Sequence, residues 1–314
     1  MEKPKELSWS EQVSLFRSRG MDVDDDDERT LQSISYYRIK EFAAPLAHFD
    51  KENNEINYQG VSFSEVLKRY YQDKNLRLNL LHAIEQIEVA LKTRLAYILG
   101  EYYGAYGYLD FYKWANRSKF TSFEIEKKQY RFKEQLLRIV KKSNMPDLKK
   151  KSNQNLDGFP TVWLAIDSLM FGNLVTIISM ISNKHLKKLA AYFNCTGKEL
   201  VSWIRCLNFI RNICAHNSNV IDIKLNTVPV IRTSWKQDLY IIHGKRSNRP
   251  TNRLAVVIFV LITMVNAVNN KYRWAEINNN IKNICDGRND KAHLIGFKNC
   301  QSINIKKIAR TMSC

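Results

Sequence analysis

Between residues 62 and 103 the apolar side chains Leu76, Leu80, Ile84, Ile87, Leu91, Leu95 and Ile98 recur at steps of three and four. That spacing gathers them on one stripe of a helix, so the segment reads as one long helix or two in tandem, ended by Gly104 and Gly107. The opposite face is assigned Lys68, Arg69, Lys74, Arg77, Lys92 and Arg94. Helical periodicity dominates elsewhere too, with no internal repeat and no heptad long enough for a coiled coil, and the fold class expected is all-α.

Capping and breaking residues mark the other elements. Ser8 can cap a short helix through Phe16 that stops at Gly20. The acidic run Asp24-Asp25-Asp26-Asp27-Glu28 then opens a second helix, where carboxylates favour the positive end of the dipole; a patch that mimics a polyanionic partner is the alternative meaning of the same run. Residues 121–142 form a strongly basic helix with Lys127, Lys128, Arg131, Lys133, Arg138, Lys141 and Lys142, followed by a polar, mobile stretch at 149–155. That stretch reads as a solvated loop or as a backbone-phosphate contact. Pro160 lies near the first turn of a helix expected through Ile181, a shorter helix covers 185–193, and Thr196 begins a helix that runs into Arg211. Two β-rich stretches between 228 and 242 suit a small hairpin or an irregular loop. Residues 252–272 and 274–285 complete the helices, and the tail from Asp286 reads as loop.

The chain carries 49 Lys and Arg against 31 Asp and Glu, a net +18 over 314 residues. Such a balance asks for a polyanion, nucleic acid ahead of an anionic membrane surface, because no basic amphipathic anchor is visible. Six cysteines without C-x-x-C spacing read as free thiols in a reducing compartment, not as a disulfide framework or a zinc site, so no metal and no cofactor is expected. The start is charged where a signal peptide would be apolar. The longest apolar run, 254–268, is too short for a membrane span. A soluble, cytoplasmic protein is the expectation.

Familiar catalytic spacings are missing: no phosphate-binding glycine loop, no H-E-x-x-H and no G-x-S-x-G. What remains is Asn208-Phe209-Ile210-Arg211-Asn212-Ile213-Cys214-Ala215-His216 at a helix end. Asn208, Arg211 and Asn212 share a helix face, and His216 can join it from the frayed end. A histidine can take the proton from a ribose 2′-OH or give one to the leaving 5′-oxygen. An arginine can hold the phosphate and offset the charge that builds in the transition state. The same cations can instead simply cap a helix C-terminus. A second string, Arg288-Asn289-Asp290-Lys291-Ala292-His293, repeats the pattern without an apolar helix to deliver it, and reads as coincidence or surface contact.

Several segments together resemble a known family. Leu31-Gln32-Ser33-Ile34-Ser35-Tyr36-Tyr37-Arg38-Ile39-Lys40 looks like the "I-x-Y-Y-R-L-x-G-Y" opening of the Abi proteins of the AbiD/AbiF type, which are bacterial abortive-infection proteins. Residues 83–93, AIEQIEVALKT, resemble that family's "A-I-E-x-I-E-x-A-x-x-T" helix. Pro160-Thr161-Val162-Trp163, Phe171-Gly172, Ser202-Trp203, Leu207-Asn208 and the string Arg211 to His216 are similar to its second half, and Gly296-Phe297 to its closing "M-G-F" element. The resemblance implies an all-α HEPN-type bundle whose R-x4-6-H motif marks metal-independent endoribonucleases. It implies Arg211 and His216 as the catalytic pair, with Asn212 and Asn208 beside them. One motif per chain implies a homodimer with a composite site, and the AbiF-type relatives imply a small structured RNA that restrains the enzyme. Asn217-Ser218-Asn219-Val220-Ile221 departs from the family pattern after the histidine, where an arginine is common.

The partner expected is therefore RNA, a target and a small non-coding antitoxin, with no membrane. Candidate RNA-binding residues are Tyr36, Tyr37, Arg38, Lys127, Lys128, Arg131, Lys141, Lys142 and Arg205. Tyr36, Tyr37 and Arg38 can stack unpaired bases, or at least one tyrosine can be core packing. The organisation expected is an N-terminal helical extension at 1–60, a HEPN-like domain at 61–285 with a basic insertion at about 115–158, and a tail at 286–314. A HEPN protein that holds a structured RNA without cutting it is the alternative function.

Overall fold

A computed structural model describes residues 6–50, 55–244 and 247–311; the charged start at 1–5 and Cys314 lie outside them. Helix α1 (Trp9–Ser18) begins where Ser8 and Glu11 close a capping box, and α2 (Asp27–Leu31) carries Asp27 and Glu28 in its first turn. Helix α3 (Tyr36–Ala43) leads to an antiparallel ribbon, β1 (His48–Asp50) with β2 (Glu55–Asn57). Val13, Phe16, Leu31, Ile39, Phe42, Tyr58, Phe63 and Val66 then form a core of their own.

Helix α4 (Phe63–Tyr103) is one uninterrupted helix of 41 residues, about 60 Å long at ~1.5 Å per residue. The Ser62 hydroxyl caps its start by accepting from the Glu65 N–H at 3.2 Å. It ends at Gly104, whose φ of 72° is one that side-chain-bearing residues rarely adopt. The first turn belongs to the N-terminal core and the stripe from Leu76 to Leu99 to the main one. So α4 ties the two together.

Helices α5 (Phe111–Trp114), α6 (Ser122–Lys142), α7 (Pro146–Lys149), α8 (Val162–Asp167), α9 (Phe171–Met180), α10 (Asn183–Tyr192), α11 (Gly197–Ala215), α12 (Leu254–Val268), α13 (Ala275–Cys285), α14 (Asn289–Ile295) and α15 (Ile305–Thr311) follow. The strands β3 (Ile241–Ile242) and β4 (Arg249–Pro250) pair antiparallel. The architecture is all-α, with α3, α8, α9, α10, α11, α12 and α13 packed around α4. Helix α12 is buried along its whole front, Leu254 to Val265, each large aliphatic side chain there contributing roughly 1.5–3 kcal/mol. Among the described residues no helix is long and apolar enough to cross a membrane.

Four expectations change. Arg69 and Arg77 do not lie on a solvated face of α4 but are buried at 8% and 4% exposure, because each meets a carboxylate inside the bundle. The helix expected through Ile181 is two, α8 and α9, and Pro160 precedes them in a bridge with Gln154. The stretch at 149–155 is built, not loose: a 3-10 turn spans Lys151–Asn153, and the Asn155 carboxamide accepts the N–H groups of Asp157 and Phe159. The tail is not loop. Helices α14 and α15 and the segment between them bury Ile295, Phe297, Ile303, Ile305 and Ala309 in the main core, where Asn278 Oδ1 accepts the Ile305 N–H.

Between Val230 and Ile242 the chain is an irregular loop with a 3-10 turn at Thr233–Trp235. The hairpin that does form pairs 241–242 with 249–250 instead.

Candidate functional site

Helix α11 delivers the R-x4-H string. Thr196 and Glu199 form a capping box at its start, and Glu199 also binds Arg232 at 2.7 Å. Leu200, Trp203, Ile204, Leu207, Ile210 and Cys214 turn inward. Trp203 Nε1 donates to the Val230 carbonyl at 2.8 Å and Ser202 Oγ accepts the Val230 N–H at 3.0 Å, so the following loop is stitched back onto the helix.

The outward side holds the candidate chemistry. Arg211 and Asn208 are half-buried, while Asn212 and His216 are exposed. Neither Arg211 nor His216 has a side-chain hydrogen bond or ion pair among the described residues, so both are free to meet a substrate. Five residues rotate a helix by about 140°. Arg211 therefore emerges on the Asn208 side, and His216 further round the end; they are not joined by a hydrogen bond within one chain. The backbone of Gly172, in the first turn of α9, runs beside Asn208: a Cβ placed there would lie 3.6 Å from Asn208 Oδ1. The next residue, Asn173, exchanges two amide hydrogen bonds with Gln135 of α6, at 2.7 and 3.3 Å. The first turn of α9 thus lies between the motif helix and the basic helix.

The end of α11 is fixed by a network that sequence reasoning missed. His216 is the C-cap, and Asn217 takes the left-handed conformation at φ 57°. The Ser218 N–H reaches the Ile213 carbonyl and the Asn217 N–H that of Cys214, the two bonds of a Schellman turn. Arg77 Nη1 then donates to Asn217 Oδ1 at 2.8 Å, and its Nε donates to Asp73 Oδ2 at 2.7 Å. Asp73 Oδ1 accepts the N–H groups of Val220 and Ile221 at 2.8 and 3.1 Å. Arg69 pairs with Asp222, whose other oxygen accepts from Asn219 Nδ2 at 2.7 Å. Burial pushes the Asp73 carboxyl above its ordinary value, opposed by the bonds from Val220, Arg77 and Ile221. The signal was present in the sequence: Asp73 sits three residues before Leu76, on the apolar stripe, with Arg69 and Arg77 four residues to either side.

The divergent segment after the histidine is therefore clamped at nearly every residue. Asn217 and Asn219 serve as a turn former and a carboxylate partner.

The remaining candidates divide by position. Tyr36 packs on Phe16 with ring centroids 4.6 Å apart, and its hydroxyl accepts from Arg19 at 3.0 Å, so it is core packing. Tyr37 stands 78% exposed beside it, and Arg38 pairs with Glu41. On α6, Lys127, Arg131, Lys141 and Lys142 are exposed and Lys128 is half-buried. Arg205 is exposed, with Nη2 3.4 Å from Ser179 Oγ. These lie on separate elements, and Tyr36 to Arg38 belong to the N-terminal core region. In the second R-x4-H string both groups are committed. Arg288 binds Asp290 at 2.6 Å, and His293 Nε2 donates to the Lys298 carbonyl at 2.8 Å while its ring stacks on Tyr240. Among the described residues, no group of three or more His, Cys, Asp or Glu side chains could hold a metal ion.

No curated protein and no solved structure matches the chain significantly. A family model described as "Abi-like protein" matches residues 29–222, more than half of the chain. The match runs from α2 through the motif to Asp222, the residue that closes the clamp on Arg69. Such membership suggests abortive-infection phage defence and is compatible with a nuclease-type enzyme. The chain belongs to the Abi-like protein family.

Proposed function

We propose that this protein is a phage-defence endoribonuclease of the HEPN type that cuts RNA without a metal ion. The observation that carries the reading is the pair of uncommitted side chains, Arg211 and His216, held at a helix end that buried ion pairs fix in place. In the reaction, the 2′-hydroxyl of a ribose attacks the adjacent phosphorus and the 5′-oxygen leaves. One imidazole takes the 2′-OH proton and another protonates the 5′-oxygen. Arg211 binds the phosphate as its charge rises, and Asn212 and Asn208 supply further hydrogen bonds. Since a single chain offers one His216, a homodimer that juxtaposes two motifs provides both acid and base. A small structured RNA on the basic surface would restrain the enzyme until infection, with the cytoplasm as its place of action.

Cleavage of RNA in EDTA tests the reading, after co-purifying RNA has been stripped. Wild type should leave 2′,3′-cyclic phosphate and 5′-OH ends, and His216→Ala should leave the RNA intact. If neither protein cuts, while a discrete RNA stays bound, the protein is a non-catalytic holder of RNA. The exposed cations of α6 favour that second reading.

A further inference from the structure

A groove of about 720 Å³ runs along the outer side of α11, between that helix and the loop at 225–230. The volume falls within the range of small-molecule sites, roughly 300–1,000 Å³. Its floor is apolar, with Val201, Phe209 and Pro229, and three cations, Lys119, Lys198 and Arg205, stand among its lining residues. None of the described lining residues is Asp or Glu. Phe209 is 43% exposed, a large ring left open on a helix whose other aromatic side chain, Trp203, is buried. An apolar slot with an open aromatic ring, cations and no carboxylate is complementary to a flat aromatic face that stands next to negative charge, which describes a nucleobase on its phosphate.

The groove also has a direction. Val201, Arg205, Phe209, Asn212 and His216 follow one another at steps of four, four, three and four, a single row on the helix surface. Phe209 precedes His216 by about 10 Å of helix rise and Arg205 by about 16 Å. A strand whose phosphate lies at His216 would therefore bring a neighbouring nucleotide over Phe209.

We infer that this groove is a nucleobase subsite for single-stranded RNA, in which Phe209 stacks a base and Arg205 holds its phosphate one or two nucleotides from the scissile bond. The inference rests on the ribonuclease reading for its substrate, but binding is measured without cleavage. Fluorescence anisotropy of labelled five-nucleotide RNAs (penta-adenosine, penta-uridine and an abasic ribose-phosphate pentamer) is recorded with the His216→Ala protein at fixed salt. Adding Phe209→Ala should weaken the base-containing pentamers about tenfold and leave the abasic one unchanged, as loss of one stacked base does. Phe209→Trp should restore binding, because it keeps an aromatic face.

Equal loss on the abasic pentamer, no loss on any, or no rescue by Trp overturns the subsite. So does Phe209-dependent binding of free adenosine monophosphate with none of the pentamers, which would assign the groove to a soluble nucleotide instead. Wild-type protein that fails to cut RNA refutes the nuclease reading and leaves these binding results standing.

Discussion

Arg77 Nη1 lies 2.8 Å from Asn217 Oδ1, a hydrogen bond that spans 140 residues and fastens the N-terminal half of the longest helix to the residue after His216. The same guanidinium holds Asp73, and Asp73 holds the N–H groups of Val220 and Ile221. A helix C-terminus ordinarily frays. Here three buried charged groups of α4, Arg69, Asp73 and Arg77, hold the turn that follows it, so the place where His216 stands is set by the core.

Removing one partner of this pair should be costly. Asp73→Ala leaves the Arg77 charge buried without its counter-charge and the Val220 and Ile221 N–H groups without an acceptor, and the expected loss is about 3–5 kcal/mol in urea unfolding. The double variant Asp73→Leu with Arg77→Met should recover much of it, since no uncompensated charge remains. A single variant as stable as wild type would show that the clamp contributes nothing.

Asn217 has two separable roles. Asn217→Gly keeps the left-handed turn and loses the bond to Arg77, whereas Asn217→Ala loses the bond and strains the backbone by about 1–2 kcal/mol. Thermal unfolding should rank the proteins as wild type, Gly, then Ala. An alanine variant more stable than the glycine one would contradict the turn assignment.

His185 should make the protein acid-sensitive. Its Nε2 meets the Tyr103 hydroxyl at 2.7 Å, and burial, with Lys184 and Lys188 adding to it, lowers its pKa below the ordinary 6.5. With the folded value depressed, the unfolded chain takes up the proton first. The stability tied to His185 is thus present above pH 6.5 and is lost as pH falls towards the folded value. Melting temperature should drop more steeply between pH 7 and 5 for wild type than for His185→Gln; parallel slopes would exclude this role.

Four thiols should be silent in the folded protein. Burial pushes Cys195, Cys206, Cys214 and Cys285 up to about 12, so at pH 8 almost none is thiolate, the form that reacts. A chromogenic disulfide reagent should find these four only after denaturant is added, with mass spectrometry identifying the modified peptides. Rapid native labelling of Cys214 would mean that the end of α11 opens readily.

The basic helix should govern salt dependence. If Lys127 and Arg131 contact phosphates of single-stranded RNA, each alanine substitution lowers the slope of log K against log salt by about 0.7. An unchanged slope in a filter-binding titration would move the contact elsewhere.

Sequence alone determined the local features. Ser8, Ser62, Thr121 and Thr196 each cap a helix where the residue pattern placed one, because a cap is a contact between residues three apart and its chemistry is written in four adjacent letters. The stripe on α4, the Gly104 stop, the buried run at 254–265 and the R-x4-H string belong to the same class of local pattern. The arginines of α4 do not. Periodicity sends Arg69 and Arg77 to solvent because a charge is costly to bury alone. Asp73, four residues from each, is legible in the sequence, but the further partners inside the bundle, Asp222 for Arg69 and Asn217 for Arg77, stand 153 and 140 residues away. The tail read as loop for the same reason, its short helices being held by the core they complete. What the tertiary structure decided was which charges meet inside the bundle. That pairing turns an exposed-looking arginine into the support of a candidate catalytic helix end.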